Sequence, residues 1–202
     1  MEQSKFLKLN KLSEGNYQAF LYDCDGTLAD NMPAHTATYV ETANEYGVTI
    51  DPAMIIELAG WPIANVVEEI NIRYKSTIDP IAFRARKAEL YAGKYIERII
   101  PIDFVVEHLK ANAGKVHIGV VSGGDKEAIR QTLQVLGIGH LVEVLVCAGD
   151  TVKGKPFPDP FLKAAELLNV EPSKCLVFED GIPGVAAAKS AGMDWIRIDW
   201  VV

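Results

Sequence analysis

Two aspartates two residues apart, Asp23 and Asp25, close the apolar run from Tyr17 to Tyr22 and lead into Gly26-Thr27-Leu28. Alternate side chains of a strand share a face, so these two carboxylates point together while Cys24 turns into the packing. Two like charges that close are costly unless a cation or a shared proton relieves them. Phosphoryl transfer fits such a pair. One carboxylate attacks phosphorus, the other handles the protons of the leaving and attacking oxygens, and Mg²⁺ neutralises the cluster. Gly26 lets the backbone turn sharply beside a ligand. The plainer reading is an acidic turn at a strand end, with glycine present for geometry alone.

Three further segments carry groups of the same kind. Val120-Val121-Ser122-Gly123-Gly124 ends an apolar run and opens a helix near Lys126. A hydroxyl followed by backbone N–H groups at a helix start can cradle phosphate, although Ser-Gly-Gly is also an ordinary N-cap turn. Lys153 and Lys155 precede the proline-stiffened segment Pro156-Phe157-Pro158-Asp159. A lysine held there can balance the charge that spreads over a transferring phosphoryl group, whereas a solvated loop lysine is the default. Leu176-Val177-Phe178-Glu179-Asp180-Gly181 repeats the first pattern: an apolar strand, adjacent acids, glycine, then a helix over Gly184 to Ala191. Mg²⁺ takes hard oxygen ligands and keeps some water, so one or two carboxylates from here, Asp180 foremost, with Asp23 and a backbone carbonyl would suffice. Glu179 binds such an ion directly or through water, or the two acids simply favour a helix start.

The elements that must position these groups form an alternating pattern. Strand-like runs fall at Gln18 to Cys24, Val116 to Ser122, Val144 to Ala148, Cys175 to Glu179 and Trp195 to Ile198, with helical spacing between them. Such βα alternation with nearly continuous apolar strands predicts an α/β fold, a doubly wound parallel five-stranded sheet covered on both faces. Ligands bind such sheets at the carboxyl ends of the strands, where the strand order reverses. The four polar segments all follow strands, so they converge on one rim.

Between the first and second strands lies a stretch with helical periodicity at Ala34 to Tyr46, Pro52 to Leu58, Ile63 to Tyr74 and Pro80 to Arg98. Gly47, Gly60-Trp61-Pro62 and Thr77-Ile78-Asp79-Pro80 punctuate it. The expected organisation is a core of residues 1–30 and 100–202 with an all-helical cap domain, 31–99, inserted after the first strand, and Pro101 at the return. Asn31, His35 and Trp61 are the cap side chains placed to meet a substrate, as an amide, an imidazole and an aromatic ring near hinge or loop positions. Each could equally serve packing.

At 202 residues, 49 % of them apolar, the chain can bury a full core. A net charge of −7 argues against a nucleic-acid surface, so an anionic substrate must meet local positive charge. No stretch has the length and apolarity of a membrane span, and Met1 to Asn16 has no signal-peptide core, which predicts a cytoplasmic protein. Cys24, Cys147 and Cys175 lie in or beside apolar runs and read as core residues in a reducing compartment.

With Asp23-Cys24-Asp25-Gly26-Thr27-Leu28 after a strand, and the serine, lysine and acidic motifs following in order, the chain resembles the haloacid dehalogenase-like hydrolase superfamily. The helical insert after the first motif is similar to the subgroup of β-phosphoglucomutase and small sugar-phosphate phosphatases, the fructose-1-phosphatase type among them. The resemblance implies Asp23 as nucleophile, Asp25 as acid and base, and Ser122 with Gly123 and Gly124 as the phosphate site. It implies Lys155 rather than Lys153, because the family lysine precedes a Pro-x-Pro-Asp segment. It also implies Mg²⁺ at Asp23, Asp25, Glu179 and Asp180, and a small phosphate ester as substrate.

Two departures separate the branches of that family. The mutase pattern has a cap arginine soon after a glycine matching Gly60, and a lysine shortly after the serine motif. This chain offers Trp61-Pro62-Ile63 at the first place and Asp125 at the second. Losing both cations disfavours a bisphosphate and favours hydrolysis of a monophosphate. A dehalogenase would lack Asp25, and a phosphonatase would need a Schiff-base lysine, which nothing singles out among Lys75, Lys87 and Lys94. A phosphosugar mutase, and a non-catalytic protein that binds a phosphometabolite, stand as the alternatives.

Overall fold

The computed structural model describes residues 2–58 and 61–201. In chain order the elements of the first part are α1 (Glu2–Leu12), β1 (Ala19–Tyr22), β2 (Ala29–Asp30), α2 (Met32–Glu45), α3 (Pro52–Glu57), α4 (Ile63–Tyr74) and α5 (Pro80–Leu90). There follow β3 (Ile100–Pro101), α6 (Asp103–Asn112), β4 (His117–Val121), α7 (Lys126–Val135), β5 (Val144–Val146), α8 (Asp159–Leu168), β6 (Cys175–Glu179), α9 (Ile182–Ser190) and β7 (Asp194–Arg197).

Five strands form one parallel sheet in the order β5-β4-β1-β6-β7. Its centre, β1, is buried along its whole length, as a strand covered on both faces must be. Alternation divides its side chains. Ala19 and Leu21 join Val121, Val177, Phe161 and Leu168 in the main apolar cluster. Phe20 and Tyr22 face the other way, against His108 of α6 and Phe178 of β6. The chain leaves β1 for β4 and β5 on one side and later adds β6 and β7 on the other. The reversal of strand order therefore falls beside β1, and the crevice it opens lies at the carboxyl ends of β1, β4 and β6.

The chain divides into two units, Met1–Asp30 with Ile100–Val202, and Asn31–Ile99. At the junction β2 and β3 pair antiparallel, Ala29 opposite Pro101 and Asp30 opposite Ile100. The unit Asn31–Ile99 has its own core, in which Tyr39, Ala43, Met54, Ile55, Val66, Ile70 and Phe83 come together from α2 to α5. Asp51 and Asp79 cap α3 and α5 by accepting backbone N–H groups, each with proline at the first helical position.

Three features differ from the sequence expectation. The polar start of the chain is helical over α1, held to α6 by Leu9 and Ser13 rather than by an apolar stripe of its own. The helix expected over Pro80 to Arg98 stops at Leu90, passes into a π-helical turn at Tyr91–Tyr95 and ends as a 3₁₀ turn at Ile96–Arg98. Widening by a single turn re-aims side chains in a way that a 3.6-residue period cannot reveal. Gly60 lies outside the described residues. Among the described residues no helix is long and apolar enough to cross a membrane.

Candidate active site

Register sets the height of the site. Tyr22 is level with Val120 of β4 and with Phe178 of β6, so Asp23, Val121 and Glu179 emerge side by side. Asp23 continues the ladder by donating its N–H to the Phe178 carbonyl at 2.9 Å. The chain then turns back on itself, with the Cys24 carbonyl accepting from the N–H groups of Leu28 and Ala29 at 2.9 and 3.0 Å. Gly26 occupies this turn at φ +88°, and an added Cβ would stand 2.9 Å from Asp180 Cγ. Both its dihedral and its lack of a side chain are required there.

Lys155 reaches into this group from the loop before α8. Its Nζ donates to Asp23 Oδ1 at 2.6 Å, to Glu179 Oε1 at 2.7 Å and to the Val121 carbonyl at 2.8 Å. All three ammonium protons are thereby committed. Its side chain is only 10 % exposed. Burial works against its charge, but the Asp23 and Glu179 carboxylates outweigh that effect and raise its pKa above the ordinary value. Lys153 instead sits over the Phe157 ring, 4.8 Å from its centroid.

Glu179 Oε2 accepts the Gly181 N–H at 2.7 Å, so each of its oxygens has a partner. Asp180 Oδ1 accepts from Thr27 Oγ1 at 3.0 Å, tying the last motif to the first. Carboxylate oxygens of Asp23, Glu179 and Asp180 all lie within 4.8 Å of one another. Burial foremost, then Glu179, pushes the Asp180 carboxyl up to about 6. Burial also raises Asp23 well above the carboxylate range, with Lys155 opposing and Glu179, Asp180 and Asp25 adding to the rise. Three clustered acids with one ammonium carry an excess of negative charge, and their hard oxygen donors suit a cation such as Mg²⁺.

Ser122 is buried at the end of β4, where its N–H donates to the Val146 carbonyl at 2.9 Å and its Oγ accepts the Gly124 N–H at 3.0 Å. A hydroxyl that accepts from its own loop keeps its proton for another oxygen. Asp125 caps α7, accepting the Glu127 N–H at 3.1 Å. Asp25 lies half-buried in the turn after β1. The structure thus brings Asp23, Asp25, Ser122, Gly123, Gly124, Lys155, Glu179 and Asp180 to the carboxyl rim of one sheet. Thr27, which sequence reasoning did not single out, joins them through Asp180.

A chain in which four strand-end loops meet in this way matches the family model for haloacid dehalogenase-like hydrolase over residues 20–198. The chain belongs to the haloacid dehalogenase-like hydrolases. It is similar to the fructose-1-phosphate phosphatase YqaB of Escherichia coli, at 31 % identity over 90 % of this chain and 96 % of the relative. It is also similar to the validoxylamine A 7'-phosphate phosphatase of Streptomyces hygroscopicus subsp. limoneus, at 30 % identity over 88 % of this chain and 83 % of the relative. Among solved structures, a β-phosphoglucomutase from Clostridium difficile superposes with a TM-score of 0.75 at 26 % identity, over 89 % of this chain and 83 % of that one.

Within Asn31–Ile99 this hydrolase gathers a second polar group. Asn31 Nδ2 donates to the Tyr91 hydroxyl at 3.0 Å, and the His35 ring stacks on Tyr91 with centroids 4.5 Å apart. Lys87 Nζ lies 3.3 Å from His35 Nδ1 and 4.6 Å from the centroid of Tyr39, with the residue 6 % exposed. Trp61 is 49 % exposed on the segment before α4. Lys87 and Tyr91 were not singled out from sequence. The available signal was spacing: Phe83, Lys87 and Tyr91 are four residues apart, which places a lysine on the buried stripe of α5.

Proposed function

We propose that this hydrolase is a Mg²⁺-dependent phosphatase of small phosphorylated metabolites, sugar phosphates foremost. The observation that carries this reading is the Lys155 ammonium clamped between Asp23 and Glu179, with Asp180 beside them. Buried, hydrogen-bonded Asp23 is the nucleophile. It attacks phosphorus to form an aspartyl-phosphate while Asp25 gives a proton to the departing alkoxide, and Asp25 then takes a proton from the water that cleaves the acyl phosphate. The Ser122 hydroxyl and the amides of its loop meet the phosphoryl oxygens, and the Lys155 ammonium beside Asp23 offsets the charge that spreads over them in the transition state. Asp23 and Asp180, with the Asp25 carbonyl, would hold Mg²⁺, which would offset the repulsion between carboxylates and phosphate. Glu179 positions Lys155 and the Gly181 loop.

On this reading Asn31–Ile99 is the cap that selects the substrate, with Asn31, His35 and Trp61 meeting the sugar. The named relatives act on fructose 1-phosphate and on validoxylamine A 7'-phosphate, which supports a polyhydroxylated monophosphate here. Likeness to a phosphoglucomutase supports the second reading, a phosphosugar mutase. Asp125 argues against it, since it presents a carboxylate where the mutase pattern places a lysine.

The test is phosphate release from a panel of sugar and other small monophosphates, with Mg²⁺ or EDTA, by the wild type and Asp23→Asn. Expected are Mg²⁺-dependent release by the wild type and none by the folded variant. Turnover retained by pure Asp23→Asn would overturn the nucleophile. Conversion of β-glucose 1-phosphate to glucose 6-phosphate in the presence of a bisphosphate primer would establish the mutase instead, and release of only free phosphate and sugar would exclude it.

A further inference from the structure

We propose that His108 is a pH-sensitive latch that docks the N-terminal helix α1 on the core and releases it on acidification while the sheet stays folded. Helix α1 precedes the region that matches the family, residues 20–198, so the family fold does not require it. It lies along α6. Its described attachments include the buried Leu9, the Lys5 ammonium over the Phe104 ring at 5.5 Å, and Ser13, just past its end.

Ser13 is where the latch closes. Its hydroxyl donates to the Asn10 carbonyl at 3.0 Å, which leaves its lone pairs for His108 Nε2 at 2.8 Å. His108 must then carry its proton on Nε2, and Nδ1 accepts the Tyr22 hydroxyl at 2.8 Å. One neutral tautomer satisfies all three residues. The ring is fully buried, stacked on Phe20 at 5.5 Å and tilted against Phe178 at 4.9 Å.

Protonation of Nδ1 defeats this arrangement. Tyr22 would have to turn its own proton away into aromatic surroundings, and among the described residues no carboxylate contributes to offset the new charge. The groups around the ring are Phe20 and Tyr22 from β1, Phe178 from β6 and Ser13 from the end of α1. Tyr22 is the titratable one, and burial raises its pKa well above the ordinary value, so it stays neutral. Lys5 of α1 is engaged with Phe104, and Glu107 and Lys110 of α6 pair with each other at its exposed surface. Burial alone lowers the imidazole, to about 4, and no charge contributes.

Hydration of an imidazolium therefore requires an element to move. Strands β1 and β6 are interior to the sheet, whereas α1 lies outside it, docked on α6 with Leu9, the Lys5 cation–π contact and the latch among its described attachments. Undocking α1 uncovers the ring and restores an ordinary histidine. With a pKa of about 4 when docked and 6.5 when released, the opening constant rises roughly thirtyfold between pH 7.5 and pH 5.

Hydrogen exchange on the full chain, followed by mass spectrometry and corrected for intrinsic rates, tests this. Peptides from α1 are expected to lose protection by about that factor at pH 5 while those from β1 and β6 hold theirs. In His108→Gln an amide can still donate to Ser13 and accept from Tyr22 but cannot titrate, so α1 should stay protected at pH 5. Ser13→Ala opens the latch from outside the core, and α1 should exchange faster even at pH 7.5. Protection of α1 that persists at pH 5 would overturn the latch. So would loss in step with the sheet, the same pH response in His108→Gln, or unchanged exchange in Ser13→Ala.

Discussion

Gly184→Ala sets two physical rules against each other. Gly184 sits within α9, where alanine should be favoured by about 1 kcal/mol on helix propensity alone. A Cβ there, however, would overlap the carboxylate of Glu179 and stand 2.6 Å from its Cγ. Glu179 is 3 % exposed and cannot swing into solvent without giving up its bonds to Lys155 and the Gly181 N–H, both 2.7 Å. Hydrogen bonds to a charged group contribute about 1.5–3 kcal/mol each. Their loss exceeds the gain in propensity, and the expected net destabilisation is about 3 kcal/mol. In a chain of this size that corresponds to a Tm lower by roughly 6–12 °C. Lys155 would also lose one of its two carboxylates, so phosphate release should fall at least tenfold. The assays are thermal unfolding by circular dichroism and phosphate release under saturating substrate. Gly93→Ala is the control, since a Cβ there meets nothing within 4 Å, and it should keep both properties. A Gly184→Ala protein with wild-type or higher Tm and full activity would refute the argument that Glu179 is fixed in place.

Lys155→Met should cost about 3–5 kcal/mol in urea unfolding without divalent metal, because it strands Asp23 and Glu179 together in a buried site; an unchanged midpoint and slope would contradict that. Mg²⁺ should raise the Tm of the wild type, by an amount equivalent to about 2.7 kcal/mol at a hundred times its Kd, and Asp180→Asn should abolish the shift. An equal shift in the variant would remove Asp180 from the metal site. Gly26→Ala should lower stability by about 1–3 kcal/mol and depress turnover, since it strains a backbone at φ +88° and crowds Asp180. Retention of wild-type stability and rate would show that the turn relaxes freely.

Particular residues show what the sequence made legible. Strand-like runs ending in Asp23, Ser122 and Glu179 were readable because strands covered on both faces are continuous in apolar residues, and a polar cluster after each is conspicuous. The meeting of these clusters followed from a topological rule that needs no coordinates. Lys155, by contrast, could be separated from Lys153 only through the family resemblance, since two loop lysines differ in nothing local. Helix α1 was hidden because its attachment depends on Ser13 and His108, which are 95 positions apart. The buried Lys87 could not be told from Lys75 and Lys94, because a lysine on a buried stripe looks, in one dimension, like any surface lysine. The π-helical turn after α5 escaped because it breaks the period by which helices are read.

The pairing of β2 with β3 has a consequence for how such a chain can change over time. Asn31–Ile99 departs and returns through two adjacent, hydrogen-bonded backbones, Asp30 opposite Ile100. Whatever is spliced between those points, long or short, begins and ends at the same doorway. The ladder of β1 with β4 and β6 is formed by residues on either side of it, so its register is indifferent to the length of the insert. Lineages can therefore rewrite the inserted module wholesale while the strand ends that hold Asp23, Ser122 and Glu179 keep their places.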